Sequence, residues 1–177
     1  MRHIEHKDRY PCPLSVSVKK ILTVTVHGHE RRYFGGFMEG LAKEADRWFR
    51  QAENDLKAAQ WSQQGGFHAQ TCFWAQQSAA KALRAFLFIN KEDAKETRSV
   101  SELLERCLTY DEEFKSVIEH SSRLDIYYKT TRYPDSLPGG IPAELISSRD
   151  SKEAVKIASD ILSLVEEKRK AYVPERM

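Results

Sequence analysis

Residues 67–90 read FHAQTCFWAQQSAAKALRAFLFIN, with no proline and, after Gly66, no glycine. Small or apolar side chains at Cys72, Phe73, Ala75, Ala79, Ala82, Leu83, Phe86 and Leu87 recur at three- and four-residue steps, which is helical spacing. The apolar arc is wide enough for a central helix that touches neighbours on more than one side. Into it is set one polar line, Gln70, Gln77, Lys81 and Arg84, whose spacing places all four on one face. Two readings stay open for that line: a solvated edge, since Lys and Arg are usually exposed, or two cations and an amide held on a stiff rod to receive an anion.

The flanking pattern is helical too. Leu41, Ala45, Trp48, Ala52, Leu56 and Ala59 step by three or four. Gly65-Gly66 then supplies a stop and a tight antiparallel link. After the charged connection KEDAKETR, Ser99-x-x-Glu102 is a capping box for a short helix that buries Val100, Leu103, Leu104, Cys107 and Leu108. Asp111 caps the next, striped by Phe114, Val117, Ile118, Ser121, Leu124 and Tyr128 and ended before Pro134. Asp150-x-x-Glu153 opens a last helix on Ala154, Ala158, Ile161 and Val165. The expected fold is all-α, an antiparallel up-and-down bundle of four main helices, at about 41–63, 67–90, 112–131 and 150–170, plus one short one. Trp48, Leu56, Phe73, Leu83, Phe86, Ile118 and Ile161 are its expected core.

Residues 1–37 differ. They hold seven Lys/Arg against three Asp/Glu, so with a net charge of +2 over the whole chain the rest sums to −2. Leu14 to Val26 alternate at period two, a strand signal with no partner strand, so this extension is expected to be a strand or disordered, and residues 38–177 to form the helical domain. A near-neutral body lacks the broad basic face of a nucleic-acid coat. No run of about 18 apolar residues suits a membrane span, and a cytoplasmic location is expected. Three scattered cysteines, Cys12, Cys72 and Cys107, make neither a disulfide framework nor a zinc site. No GxxxxGK[ST] loop or GxSxG elbow occurs, and His68 and His120 lack clustered carboxylates. No catalytic residue, metal ligand or cofactor site is expected.

Arg132-Tyr133-Pro134-Asp135 is the most loaded loop: a planar guanidinium at a proline-stiffened helix end, with Tyr127, Tyr128 and Tyr133 nearby to stack on a base or touch a partner. The bland reading is an arginine bonding loop carbonyls or pairing with Asp135.

Together these pieces resemble the HEPN family, helical domains of higher eukaryotes and prokaryotes associated with nucleotide binding. Trp48-x-x-x-Ala52-x-x-Asp55-Leu56-x-x-Ala59 resembles the family's first helix, Gln77-Ser-Ala-Ala-Lys81-Ala-Leu-Arg84-Ala its QxAEKxxKA second helix, and the RYPD turn recurs in the same place. The spacing from Arg132 to Pro142 also resembles the C-terminal HEPN domain of sacsin. The resemblance implies a homodimer, often beside a minimal nucleotidyltransferase in a toxin–antitoxin-like pair, and a small nucleotide ligand. Gln77, Lys81, Arg84, Tyr128, Arg132 and Tyr133 are then the candidate ligand-binding residues. No Arg is followed by four to six residues and then a His, the pattern of family RNases, and Ala80 replaces the usual Glu, which leaves Lys81 without a neighbouring carboxylate. Both departures favour a binding module over a nuclease; the alternatives are a non-standard RNase or nucleotide-processing enzyme and a purely structural dimerisation module.

Overall fold

The computed structural model describes residues 30–172 apart from Asp93 and Lys95, and the side chains of residues 30–39, His120 and Tyr172 lie outside that description. Helices α1 (Glu30–Gln64), α2 (His68–Ile89), α3 (Val100–Leu108), α4 (Lys115–Thr130), α5 (Pro142–Leu145) and α6 (Ser148–Tyr172) follow one another without a strand among the described residues. Single 3-10 turns, Glu112–Phe114 and Pro134–Ser136, precede and follow α4. The expected strand at residues 14–26 lies outside the described residues. Helix α1 runs back to Glu30, across the boundary expected at residue 38 and through Gly35-Gly36.

Helix α2 is the centre. Fifteen of its 22 residues are buried, so it has no broad solvated side. It packs chiefly against α1 and α6, and also against α3 and α4. Alanines let α1 and α2 approach closely: Ala52, Ala59, Ala75 and Ala79 are fully buried, and Ser78 Oγ donates to the Ala52 carbonyl at 2.8 Å. The α1–α2 turn is a Schellman motif, in which Phe67 N–H bonds Ser62 O at 2.9 Å and Gly66 N–H bonds Gln63 O at 3.1 Å. Gly66 sits at φ +77°, where a side chain would be strained.

Leu83, Phe86 and Ile161 are buried as expected, whereas Trp48, Leu56, Phe73 and Ile118 are only half-buried. Trp48 and Leu56 flank the core rather than fill it, and Phe73 lies under Arg132, 4.8 Å from its guanidinium. Along α4 the buried line is Ser121 and Leu124, continuing from Phe114 of the 3-10 turn, so the stripe is turned away from Ile118.

The caps set the helix starts. Ser99 Oγ accepts from Glu102 N–H at 3.1 Å, but the Glu102 carboxylate turns to Thr97 Oγ1 at 2.5 Å. Asp125 of α4 strengthens the same terminus, accepting from Ser99 Oγ, Val100 N–H and Ser101 N–H. Helix α6 starts earlier than the Asp150 box implied, because Ser147 is the cap: its N–H bonds Asp150 Oδ2 at 2.9 Å and its Oγ accepts from Asp150 N–H at 3.3 Å. Asp150 is therefore the third residue of the helix.

At the far end, Lys168 of α6 reaches Asp111 at 2.8 Å and Glu113 at 2.7 Å, joining α6 to the 3-10 turn. The Lys168 bond holds the Asp111 carboxyl below its usual range, and both acids raise Lys168 above its own. The Asp111 contribution is present above the unfolded value near 3.8 and is lost as pH falls through the lower folded value; the Lys168 contribution is present below 10.5 and is lost as pH rises through its folded value. A Lys168→Met variant should lose stability near neutral pH, and the difference from the parent should shrink below pH ~4. Urea unfolding between pH 3 and 8 checks this, and a constant difference across that range would contradict it.

Candidate functional site

The polar line of α2 does not behave as one unit. Lys81 Nζ is ion-paired with Asp55 of α1, which is only 1% exposed, and Gln51 Nε2 donates to the other Asp55 oxygen at 2.7 Å. The expectation that Ala80 leaves Lys81 without a carboxylate is thus corrected: Asp55 supplies one from 26 residues earlier, inside the α1 motif itself. Beside the pair, Glu44, Arg47, Trp48, Gln51 and Asn54 of α1 and Lys81 of α2 line an open groove of about 610 Å³. Its cations are balanced, Arg47 by Glu44 at 2.9 Å and Arg50 by Asp46 at 4.0 Å.

Arg84, the end of the line, is 7% exposed. Its Nε donates to Ala94 O at 3.2 Å and its Nη2 to Thr97 O, and the guanidinium lies 5.2 Å from the Trp48 ring. It anchors the 90–99 connection from below. Burial, then the nearby charge of Arg98, push its pKa down. Gln76 completes the anchor: its Nε2 donates to Arg98 O at 2.9 Å, while its Oε1 accepts from Gln77 Nε2 at 2.8 Å. Gln77 also offers Oε1 to Lys81 at 3.3 Å.

Arg132 is held by its own helix and by aromatic rings. Its Nε and Nη2 donate to Tyr128 O at 2.9 and 2.6 Å. Its guanidinium carbon lies 4.5 Å from the Tyr128 ring, 4.8 Å from Phe73 and 4.9 Å from Tyr133. The carbonyl-bonding reading of this arginine is correct in part, but it bonds a helix-end carbonyl, and Asp135 does not pair with it. Nη1 has no partner among the described residues. Arg98 approaches the same Tyr128 ring at 6.0 Å. Among the described residues, no carboxylate pairs with Arg84, Arg98 or Arg132, whereas Lys81, Arg106, Arg123, Lys168 and Arg169 each have one.

The structure therefore brings Tyr128, Arg132 and Tyr133 together with Phe73, joins Gln77 to this face through Gln76 and Arg98, sets Lys81 beside Asp55, and puts Arg84 underneath. Arg98 and Phe73 were missed in the sequence: KEDAKETR reads as a solvated connection, and Phe73 as core.

Elsewhere, Ser151 Oγ is 3.0 Å from His68 Nδ1. The same hydroxyl lies 2.9 Å from Ser148 O. The His68–Ser151 contact is a helix-start bond between α2 and α6, with the serine fully buried. Burial raises the Cys72 thiol to about 12 and pushes Cys107 up further, so both are inert apolar side chains. No cluster of three metal-ligating side chains occurs among the described residues.

The HEPN domain model matches residues 45–168. The chain belongs to the HEPN family. Solved structures agree across the bundle. The Thermus thermophilus protein TT1696 is 36% identical, at a TM-score of 0.63, over 70% of this chain and 97% of its own. ST0689, an archaeal HEPN homologue, is 32% identical, with a TM-score of 0.60 over 71% of this chain and 98% of its own. A Thermotoga maritima HEPN domain protein, TM0613, is 28% identical, with a TM-score of 0.55 over 69% and 96%. A comparison with curated proteins gives no match. The matched span of this HEPN protein runs from the α1 motif to the last turns of α6 and contains every residue of the candidate site. No described helix is long and apolar enough to cross a membrane.

Proposed function

We propose that this HEPN domain is a dimeric binding module whose ligand is a nucleotide or similar phosphate-bearing anion, and that it works beside a nucleotidyltransferase-like partner. Arg132 Nη1 meets the phosphate, Tyr128 or Tyr133 lies against the base, and Gln77 supplies an amide at the edge. Lys81 and Arg84 serve from beneath, Lys81 by holding the α1–α2 seam with Asp55 and Arg84 by anchoring the 90–99 connection. The observation that carries this reading is the Arg132 guanidinium, fixed against three aromatic rings with no carboxylate among the described residues to neutralise it. A guanidinium so held loses little freedom on binding an anion, and its planar fork suits phosphate.

The magnitude expected is modest. Two charge-assisted contacts of about 1.5–3 kcal/mol each, with one stacked base at about 1–3 kcal/mol, correspond to dissociation constants from about millimolar to micromolar. Titration calorimetry with GTP and ATP tests it. Wild type should bind in that range, and Arg132→Ala, with unchanged far-ultraviolet circular dichroism, should bind about tenfold or more weakly. Equal binding by the variant would place the site elsewhere. No binding of either nucleotide at millimolar concentration would leave the domain as a dimerisation module.

A further inference from the structure

We infer that the phosphate end of this site is built around Arg98 and takes a group with two or more negative charges, a diphosphate or longer phosphate chain. The inference rests on the binding face described above and goes further, naming a residue and a charge requirement. Two guanidinium groups meet at the Tyr128 ring, and a third lies under the 90–99 connection. Arg132 and Arg98 lie 4.5 and 6.0 Å from that ring, and Arg84 is buried below, close enough for the charge of Arg98 to be felt.

Like charges gathered without a counter-charge raise one another's energy, most where one is buried. Elsewhere the bundle pairs its half-buried cations: Lys81 with Asp55, Lys168 with Asp111 and Glu113, Arg169 with Asp46. Here, among the described residues, the buried Arg84 and the exposed Arg98 and Arg132 have no carboxylate partner. Among the described residues, Glu92 is turned to Arg106 and Tyr110, Asp125 accepts from Ser99, Val100 and Ser101, and Glu102 accepts from Thr97. A singly charged ligand offsets one of the three cations; a diphosphate can face Arg98 and Arg132 together while the buried Arg84 adds its field.

Arg98 is also placed for this task. Gln76 bonds its carbonyl, and Arg84 bonds the carbonyls of Thr97 and Ala94. Its backbone is thus tied to α2, while its side chain is exposed. Gln76 and Arg84 act as positioning residues.

The test is a charge series. Adenosine, AMP, ADP, ATP and inorganic pyrophosphate are titrated calorimetrically into the full chain without divalent cations, at low and at high salt. Wild type should bind ADP about tenfold more tightly than AMP, should bind pyrophosphate alone measurably, and should show a steeper salt dependence as ligand charge rises. Arg98→Gln removes an exposed charge and should keep the melting temperature; it should bind AMP and ADP within about twofold of each other. If wild type binds ATP, ADP and AMP alike, or the series survives Arg98→Gln, the inference is wrong while the broader binding reading stands. If no phosphate compound binds, both are wrong.

Discussion

Lys81→Ala should lower the unfolding free energy by about 3–5 kcal/mol, the range for removing one partner of a buried ion pair. The reason lies in Asp55. That carboxylate is 1% exposed, and among the described residues only the Gln51 amide remains against it without Lys81. The reverse change, Asp55→Ala, should cost less, because the Lys81 side chain is 18% exposed and its ammonium can extend to water. Replacing both by apolar side chains, Asp55→Leu with Lys81→Met, should recover much of the loss. Urea unfolding of the three variants decides the matter. A Lys81→Ala loss under about 1 kcal/mol, the range of an exposed pair, would show that the pair is solvated.

Phe86→Ala should cost about 3–5 kcal/mol, as large-to-small changes at sealed core positions do. The Phe86 side chain is fully buried. Its ring lies 4.7 Å from Phe114 and 6.5 Å from Tyr110, so it joins α2 to the chain between α3 and α4. Tyr110 in turn donates to Glu92 Oε2 at 2.6 Å, which closes the far end of the 90–99 connection. At about 2–4 °C per kcal/mol for a chain of this size, the melting temperature should fall by about 10 °C. Phe86→Leu, nearer in volume, should lose under about 1.5 kcal/mol. Calorimetry that finds the two variants equally destabilised would mean that filled volume is not what the Phe86 ring contributes.

The helices were legible because their evidence is local. Three- and four-residue spacing, Ser99, Asp111 and the glycine pair at residues 65–66 each act within a few residues of themselves. The start of α6 was misread by the same local rule: Ser147 and Asp150 bond reciprocally, so an acid that can cap stands inside the helix as the reciprocal partner. The boundary near residue 38 was drawn on charge and on the period-two pattern of residues 14–26; α1 begins at Glu30 and runs through Gly35-Gly36, at about 1 kcal/mol each relative to alanine. The chemistry of the face was less legible, since it depends on which distant groups meet. Asp55 and Lys81 are 26 residues apart, and nothing in either motif says they touch. Arg84 reads as an exposed cation until the 90–99 connection is folded over it, and that same folding lifts Arg98 from a solvated run to the rim of Tyr128.

The most direct measurement follows the arginine side-chain Nε–H signals in nitrogen-15 correlation spectra as ATP is added. Binding at the proposed face shifts Arg132 and Arg98 first and leaves Arg47 and Arg50, across the α1 groove, where they were. Shifts confined to Arg47 and Arg50, with Arg98 and Arg132 unmoved at saturation, would contradict it.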